Sequence, residues 1–167
     1  RFWRYPHVSR TILAVSGGTG DRETGLGRGD LEASVGLDFG RTEIRSFDSR
    51  AYDDIVGAEN GDDRTLTLRL LGDHTLGEKA DLRASATFAD ISHDEEVDGD
   101  ARSFRQRLFS VGAETVFRLV DDPSGTLESA RLTVGGVYDR GSTPGTGGRE
   151  SLGTIHEWGA RAGLSAL

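Results

Sequence analysis

The densest run of candidate chemistry is Asp94-Glu95-Glu96-Val97-Asp98-Gly99-Asp100. Closely spaced carboxylates can wrap a hard divalent cation. Counted from Asp94, acids fall at the third and fifth positions and glycine at the sixth, as at the start of a calcium loop. The twelfth position, where that loop needs a bidentate acid, is Arg105, and strand-like patterns rather than helices flank the run. That rules out an EF-hand and leaves a solvated acidic loop, with Asp94, Glu96 and Asp98 as weak metal candidates. The four histidines, His7, His74, His93 and His156, are far apart and read as exposed loop or strand residues. Ser110 or Ser165 could act as a nucleophile only beside a positioned base, and no G-x-S-x-G, H-E-x-x-H or Walker motif supplies one. Gly25, Gly27 and Gly29 miss the G-x-G-x-x-G spacing and open no helix. With zero cysteine there is no thiolate chemistry either. The chain therefore reads as non-enzymatic and without a cofactor.

Composition narrows the classes further. The net charge of −8, with no basic cluster, repels phosphate backbones and argues against nucleic acid. No stretch approaches the ~20 apolar residues of a membrane helix. With 24 Gly, 3 Pro, 35% hydrophobic and 29% charged residues, the chain is neither disordered nor collagen-like. It starts at Arg1 without Met and stops at Leu167 after an apolar run, so the expectation is a fragment of a longer chain.

The elements that must position any site are strands. Phe109, Val111, Ala113, Thr115, Phe117 and Leu119 share one parity, and Ala130, Leu132, Val134, Gly136 and Tyr138 share another run of it. Asp121-Asp122-Pro123-Ser124-Gly125 between them carries turn chemistry, so the pair is a hairpin. Its arms match the roughly 9–11 residues with which a tilted strand crosses a bilayer. The same dyad repeats at Leu31 to Phe39, Leu66 to Leu70, Leu82 to Phe88 and Trp158 to Leu164, and Val8 to Ser16 adds an apolar strand. The phase slips near Gly40, which predicts a bulge there or a strand climbing out of its apolar surroundings. Phe2 to Pro6 is either a loop on a core edge or a membrane-interface aromatic set. Seven strands and no helix result.

Connections at 76–80 and 120–126 are short, whereas 47–64, 93–102 and 140–153 read as long polar loops, and this alternation is that of up-and-down outer-membrane barrels. The opposite parity, Glu32, Asp38, Arg69, Arg83, Glu114, Arg118, Arg131, Glu157 and Arg161, mixes signs as a wet lumen does. The long loops would face outward, placing Asn60, Gly99 and Gly147 outside and Lys79 and Ser124 in the periplasm, with Tyr52, Asp53, Asp54, Asn60, Asp98 and Arg149 as candidate ligand contacts. A soluble β-sandwich acting as a binding or adhesion module shows similar dyads, and a barrel enzyme is a third class.

Three passages, Phe2-Trp3-Arg4-Tyr5-Pro6, Ile44-Arg45-Ser46-Phe47-Asp48-Ser49-Arg50-Ala51-Tyr52-Asp53-Asp54 and Trp158-Gly159-Ala160-Arg161-Ala162-Gly163-Leu164-Ser165, resemble the barrel portion of TonB-dependent outer-membrane receptors. The resemblance implies an all-β, antiparallel up-and-down transmembrane β-barrel segment, with 1–167 supplying about seven strands of a roughly 22-stranded wall. It implies residence in the outer membrane of a Gram-negative bacterium, contact with outer-membrane lipid, and import of a scarce small-molecule ligand such as an iron–siderophore chelate. It also implies an inner-membrane energy transducer acting through a plug domain, and nothing in this sequence resembles that plug.

Overall fold

A computed structural model describes residues 2–25, 27–48, 55–97, 99–122, 124–145 and 150–167. Seven long strands and one short one form a single antiparallel sheet: β1 (Phe2–Gly18), β2 (Arg22–Thr24), β3 (Gly27–Asp48), β4 (Ile55–Leu76), β5 (Ala80–Val97), β6 (Asp100–Asp121), β7 (Ser129–Thr143) and β8 (Gly153–Ala166). The order is β1-β3-β4-β5-β6-β7-β8, each long strand beside its successor, with β2 a side ladder on β3. This is the all-β up-and-down meander expected from the dyad pattern, and no helix occurs among the described residues. The sheet is open, so β1 and β8 are its edges. Pro6, unable to donate to a ladder, lies in edge strand β1 opposite Ile44, so Phe2 to Pro6 is strand rather than loop.

Three of the expected loops are partly strand. Residues 55–64 belong to β4, which pairs Asn60 with Glu43 and Asp62 with Arg41. The acidic run 93–97 belongs to β5 and turns at Gly99, whose φ of 89° suits glycine, before β6 resumes at Asp100. Strand β7 continues to Thr143 and β8 begins at Gly153. Polarity on both parities had suggested solvated loops. The ladder instead sets opposite charges or hydroxyls across from one another, as at Asp90↔Arg107, Ser92↔Arg105 and Glu95↔Arg102, so the polar backbone is satisfied within the sheet. The 22-residue strands β3, β4 and β6 are about twice what a bilayer crossing needs.

Gly40 carries no bulge. It pairs in register with both Arg10 and Asp63, and the irregularities lie at Ser46/Phe47 and Arg118/Val120. The phase slip near Gly40 is thus a strand leaving its apolar zone, the other of the two expectations. Residues 17–30, Gly-rich and charged in the manner of a turn or loop, include β2 and the start of β3.

The sheet has no packed interior. Among the described residues only Ala80 and Ala130 are buried hydrophobics. Leucines, valines and phenylalanines along β1, β3, β4 and β6 to β8 stay exposed, those of β5 are half-buried, and Trp158 on edge strand β8 is 78% exposed. No second layer covers them among the described residues.

Candidate functional site

Cross-strand partners share a face, so the register sorts every outward and inward side chain. One face carries Leu31, Ala33, Val35, Leu37 and Phe39 of β3. Beside them stand Leu66, Leu68 and Leu70 of β4, and Leu82 to Phe88 on the even positions of β5. Phe109 to Phe117 of β6, Ala130 to Tyr138 of β7 and Trp158 to Leu164 of β8 continue it. The other face carries all nine charged residues predicted to share it: Glu32, Asp38, Arg69, Arg83, Glu114, Arg118, Arg131, Glu157 and Arg161.

That second face is concave. A cavity of about 640 Å³ is walled by Asp73, Arg83, Ser85, Glu114, Val137 and Arg161, side chains of five successive strands. Arg161 of β8 also pairs with Glu114 of β6 across the intervening β7. Gly135 of β7 lies between the two, and its missing side chain lets them reach over that strand. Further pairs on this face are Arg83 with Asp73 at 3.1 Å, Arg118 with Asp81 at 2.5 Å and Arg10 Nε with Asp38 at 2.9 Å. In the part of this face beyond the apolar zone, His93 Nδ1 lies 2.6 Å from Asp63 Oδ1, and its Nε2 lies 3.6 Å from Glu95. The Asp63 hydrogen bond holds the imidazole pKa above its ordinary value, opposed by partial burial. In the β6–β7 turn, Ser124 donates its Oγ–H (2.8 Å) and N–H (3.1 Å) to Asp122 and holds that carboxyl below its usual range.

The convex face is banded. Its last apolar residue on successive strands is Phe39, Leu66, Phe88, Phe109, Tyr138 and Trp158, five aromatics in six positions. The next outward position on each strand is Arg41, Arg64, Asp90, Arg107, Arg140 and His156. Tyr138 links the row, with its ring 4.3 Å from Trp158 and 6.3 Å from Phe109, and its hydroxyl 2.7 Å from His156 Nδ1. Beyond this row the convex positions turn largely polar, as at Asp62, Ser92, Asp94 and Arg105, while the concave ones mix Ile91, Phe104 and Leu108 with Asp63, His93 and Glu95.

The band is oblique to the hydrogen-bond rows. The row from Trp158 runs through Tyr138, Val111, Ala86 and Leu70 to Ala33, six residues short of Phe39. The lower margin slides the same way: from Leu164 the row runs through Leu132, Phe117, Ala80 and Leu76 to Gly27, four residues below Leu31. At ~3.4 Å per residue and ~4.8 Å per strand, the upper slide inclines the band by about 40° to the rows. The nine residues from Leu31 to Phe39 span the band on β3, a height of roughly 20–25 Å once the incline is removed.

The predicted contact residues divide. Asp94 and Glu96 stand in β5 on the convex face, opposite Asp62 and Asn60, as exposed strand residues rather than loop ligands. No grouping of acids and histidines suited to a metal occurs among the described residues. Gly99 is at the β5–β6 turn, while Tyr52, Asp53, Asp54, Asp98, Gly147 and Arg149 lie outside the described residues. Ser110 faces the concavity between Thr87 and Asp139, and Ser165 does so beside Arg131. Sequence reasoning missed the aromatic row and the cations above it. Five of the six strands carry an aromatic two residues from an arginine, aspartate or histidine, but only the register aligns them. No known family model matches the chain, and no curated protein is significantly similar to it.

Proposed function

We propose that the chain is a length of outer-membrane β-barrel wall, its convex face in lipid and its concave face toward water. The observation that carries this is the oblique apolar band. Barrel strands tilt by about 35–45° to the membrane normal, and the apolar belt of such a barrel is about 25 Å tall with aromatic girdles at its margins. A band fixed by a flat bilayer must therefore cross the ladder rows at the tilt angle, and this one does so at about 40°. A partner sheet in a sandwich imposes no such incline. Within this reading the finer function is a TonB-dependent receptor that imports a scarce ligand such as an iron chelate. That part rests on the sequence resemblance, supported by the strand overhang, which would raise ligand-contacting segments clear of the membrane.

Brominated phosphatidylcholines test the wall. With Trp3 and any other tryptophan of the complete protein changed to Phe, Trp158 fluorescence in reconstituted vesicles should be quenched most by bromines near the headgroup and least by bromines at the chain ends. Quenching independent of bromine depth, or none, overturns the proposal and favours a soluble binding module. For the transport step, loss of the gene should abolish growth on the chelate as sole iron source, and unchanged growth would remove the receptor assignment.

A further inference from the structure

Resting on the membrane-wall reading, we infer that the first outward rung above the aromatic row is a strip that binds phosphorylated lipid headgroups of the adjoining leaflet. Four of its six residues are arginine, on β3, β4, β6 and β7. Arg41, Arg64 and Arg140 are exposed and have no ion-pair partner among the described residues. Arg107 touches Asp90 only at 3.4 Å, because that carboxylate is already held by Arg105 through contacts of 2.8 and 2.5 Å. The rung thus presents free guanidinium forks, the geometry that takes phosphate oxygens bidentately.

Position selects a lipid over a dissolved anion. A depression of about 420 Å³ opens on β3 to β6, with Phe39 and Leu66 among its apolar walls and Arg64, Ser92 and Arg105 among its polar ones. Ser92 lies between the two arginines on one ladder row. Apolar and cationic groups therefore meet where an amphiphile changes character. Asp90 and Asp94 also line this depression, and Asp62, Asp94 and Glu96 populate the outward rungs above, so a phosphate is attracted at the first rung and repelled higher up. An aromatic row with basic residues immediately outside it is the arrangement that holds a protein at an anionic membrane surface.

The test uses the complete protein, delipidated and reconstituted in phosphatidylcholine vesicles with or without diphosphorylated lipid A, followed by extraction and a count of lipid A retained per protein. Arg64→Gln with Arg140→Gln should cut retention about tenfold. Arg69→Gln with Arg131→Gln on the concave face should leave it unchanged, and excess inorganic phosphate should not displace the lipid. Equal retention in the two double variants, or full displacement by inorganic phosphate, overturns the headgroup strip. Insertion into pure phosphatidylcholine with no preference for lipid A removes the strip and leaves the wall standing. Failure to insert into either vesicle removes both.

Discussion

Arg161 of β8 pairs with Glu114 of β6 over the top of Gly135 in β7. The contact exists because glycine leaves the gap. A Cβ at position 135 would meet the Ala113 carbonyl oxygen at 3.0 Å, the Glu114 Cβ at 3.3 Å and the Arg161 Nε at 3.4 Å. Gly135→Val should therefore push the pair apart and cost about 1–3 kcal/mol. Gly163→Val on the same concave face, where an added Cβ has nothing within 4 Å, should stay within about 0.5 kcal/mol. Urea titration of the reconstituted protein separates the two, and equal shifts of midpoint would show that the bridge over β7 is not the determinant.

Val111 and Val134 sit on the convex face and Gly112 and Thr133 on the concave one. With the convex face in lipid as proposed, an arginine at Val111 or Val134 should destabilise the fold by about 2–4 kcal/mol near the bilayer midplane, whereas arginine at Gly112 or Thr133, on the face proposed to meet water, should be milder. Folding yield into vesicles, read by protease resistance, gives the comparison. Indifference to parity would contradict the facing assigned to the wall.

How far the sequence disclosed this architecture depends on which physical signal each part used. Alternation is local, so the faces of Leu31 to Phe39 or of the 109–138 hairpin follow from side-chain period alone. Register is not local. That Phe39 stands two residues further out than Leu66, relative to the shared row, becomes visible only when Leu37 is known to oppose Leu66. The oblique band and the arginine rung were for that reason hidden even where the seven long strands were legible. The overhangs failed differently, because segments such as 55–64 and 93–97 carry charge on both parities and looked solvated. Their cross-strand partners, His93 for Asp63 and Arg102 for Glu95, supply the complementarity that keeps them extended. Asymmetry between the two ends of the sheet survives as unequal strand overhang instead of unequal loop length.

His93 provides a pH handle within one overhang. Its pKa is raised, chiefly by the Asp63 hydrogen bond, so the charged form is favoured in the folded sheet. The resulting stabilisation is fully present below the unfolded imidazole value and is lost as pH rises through the higher folded one. Amide exchange near Asp63 and His93 should accordingly be slower at about pH 5.5 than at about pH 8.5 after correction for intrinsic rates. His93→Gln should erase the difference. A pH effect that persists in His93→Gln would assign it to another group.

Sidedness is the remaining consequence of the unequal overhang. Strands β4, β5 and β6 extend well past the aromatic row toward the Gly99 turn, whereas Lys79 and Ser124 lie in turns just past the opposite margin of the band. Outer-membrane barrels carry their larger extramembrane structure outside and tight turns toward the periplasm, so Asn60 and the Gly99 turn should face the medium. Gly99 itself is a poor reporter, since its φ of 89° would strain any cysteine placed there. Asp100, exposed and adjacent, avoids that cost. With no native thiol in the chain, an impermeant maleimide on intact cells should label Asn60→Cys and Asp100→Cys and spare Lys79→Cys and Ser124→Cys until the outer membrane is permeabilised. The reverse pattern would invert the wall, and an absence of label at all four positions even after permeabilisation would contradict their exposure in the sheet.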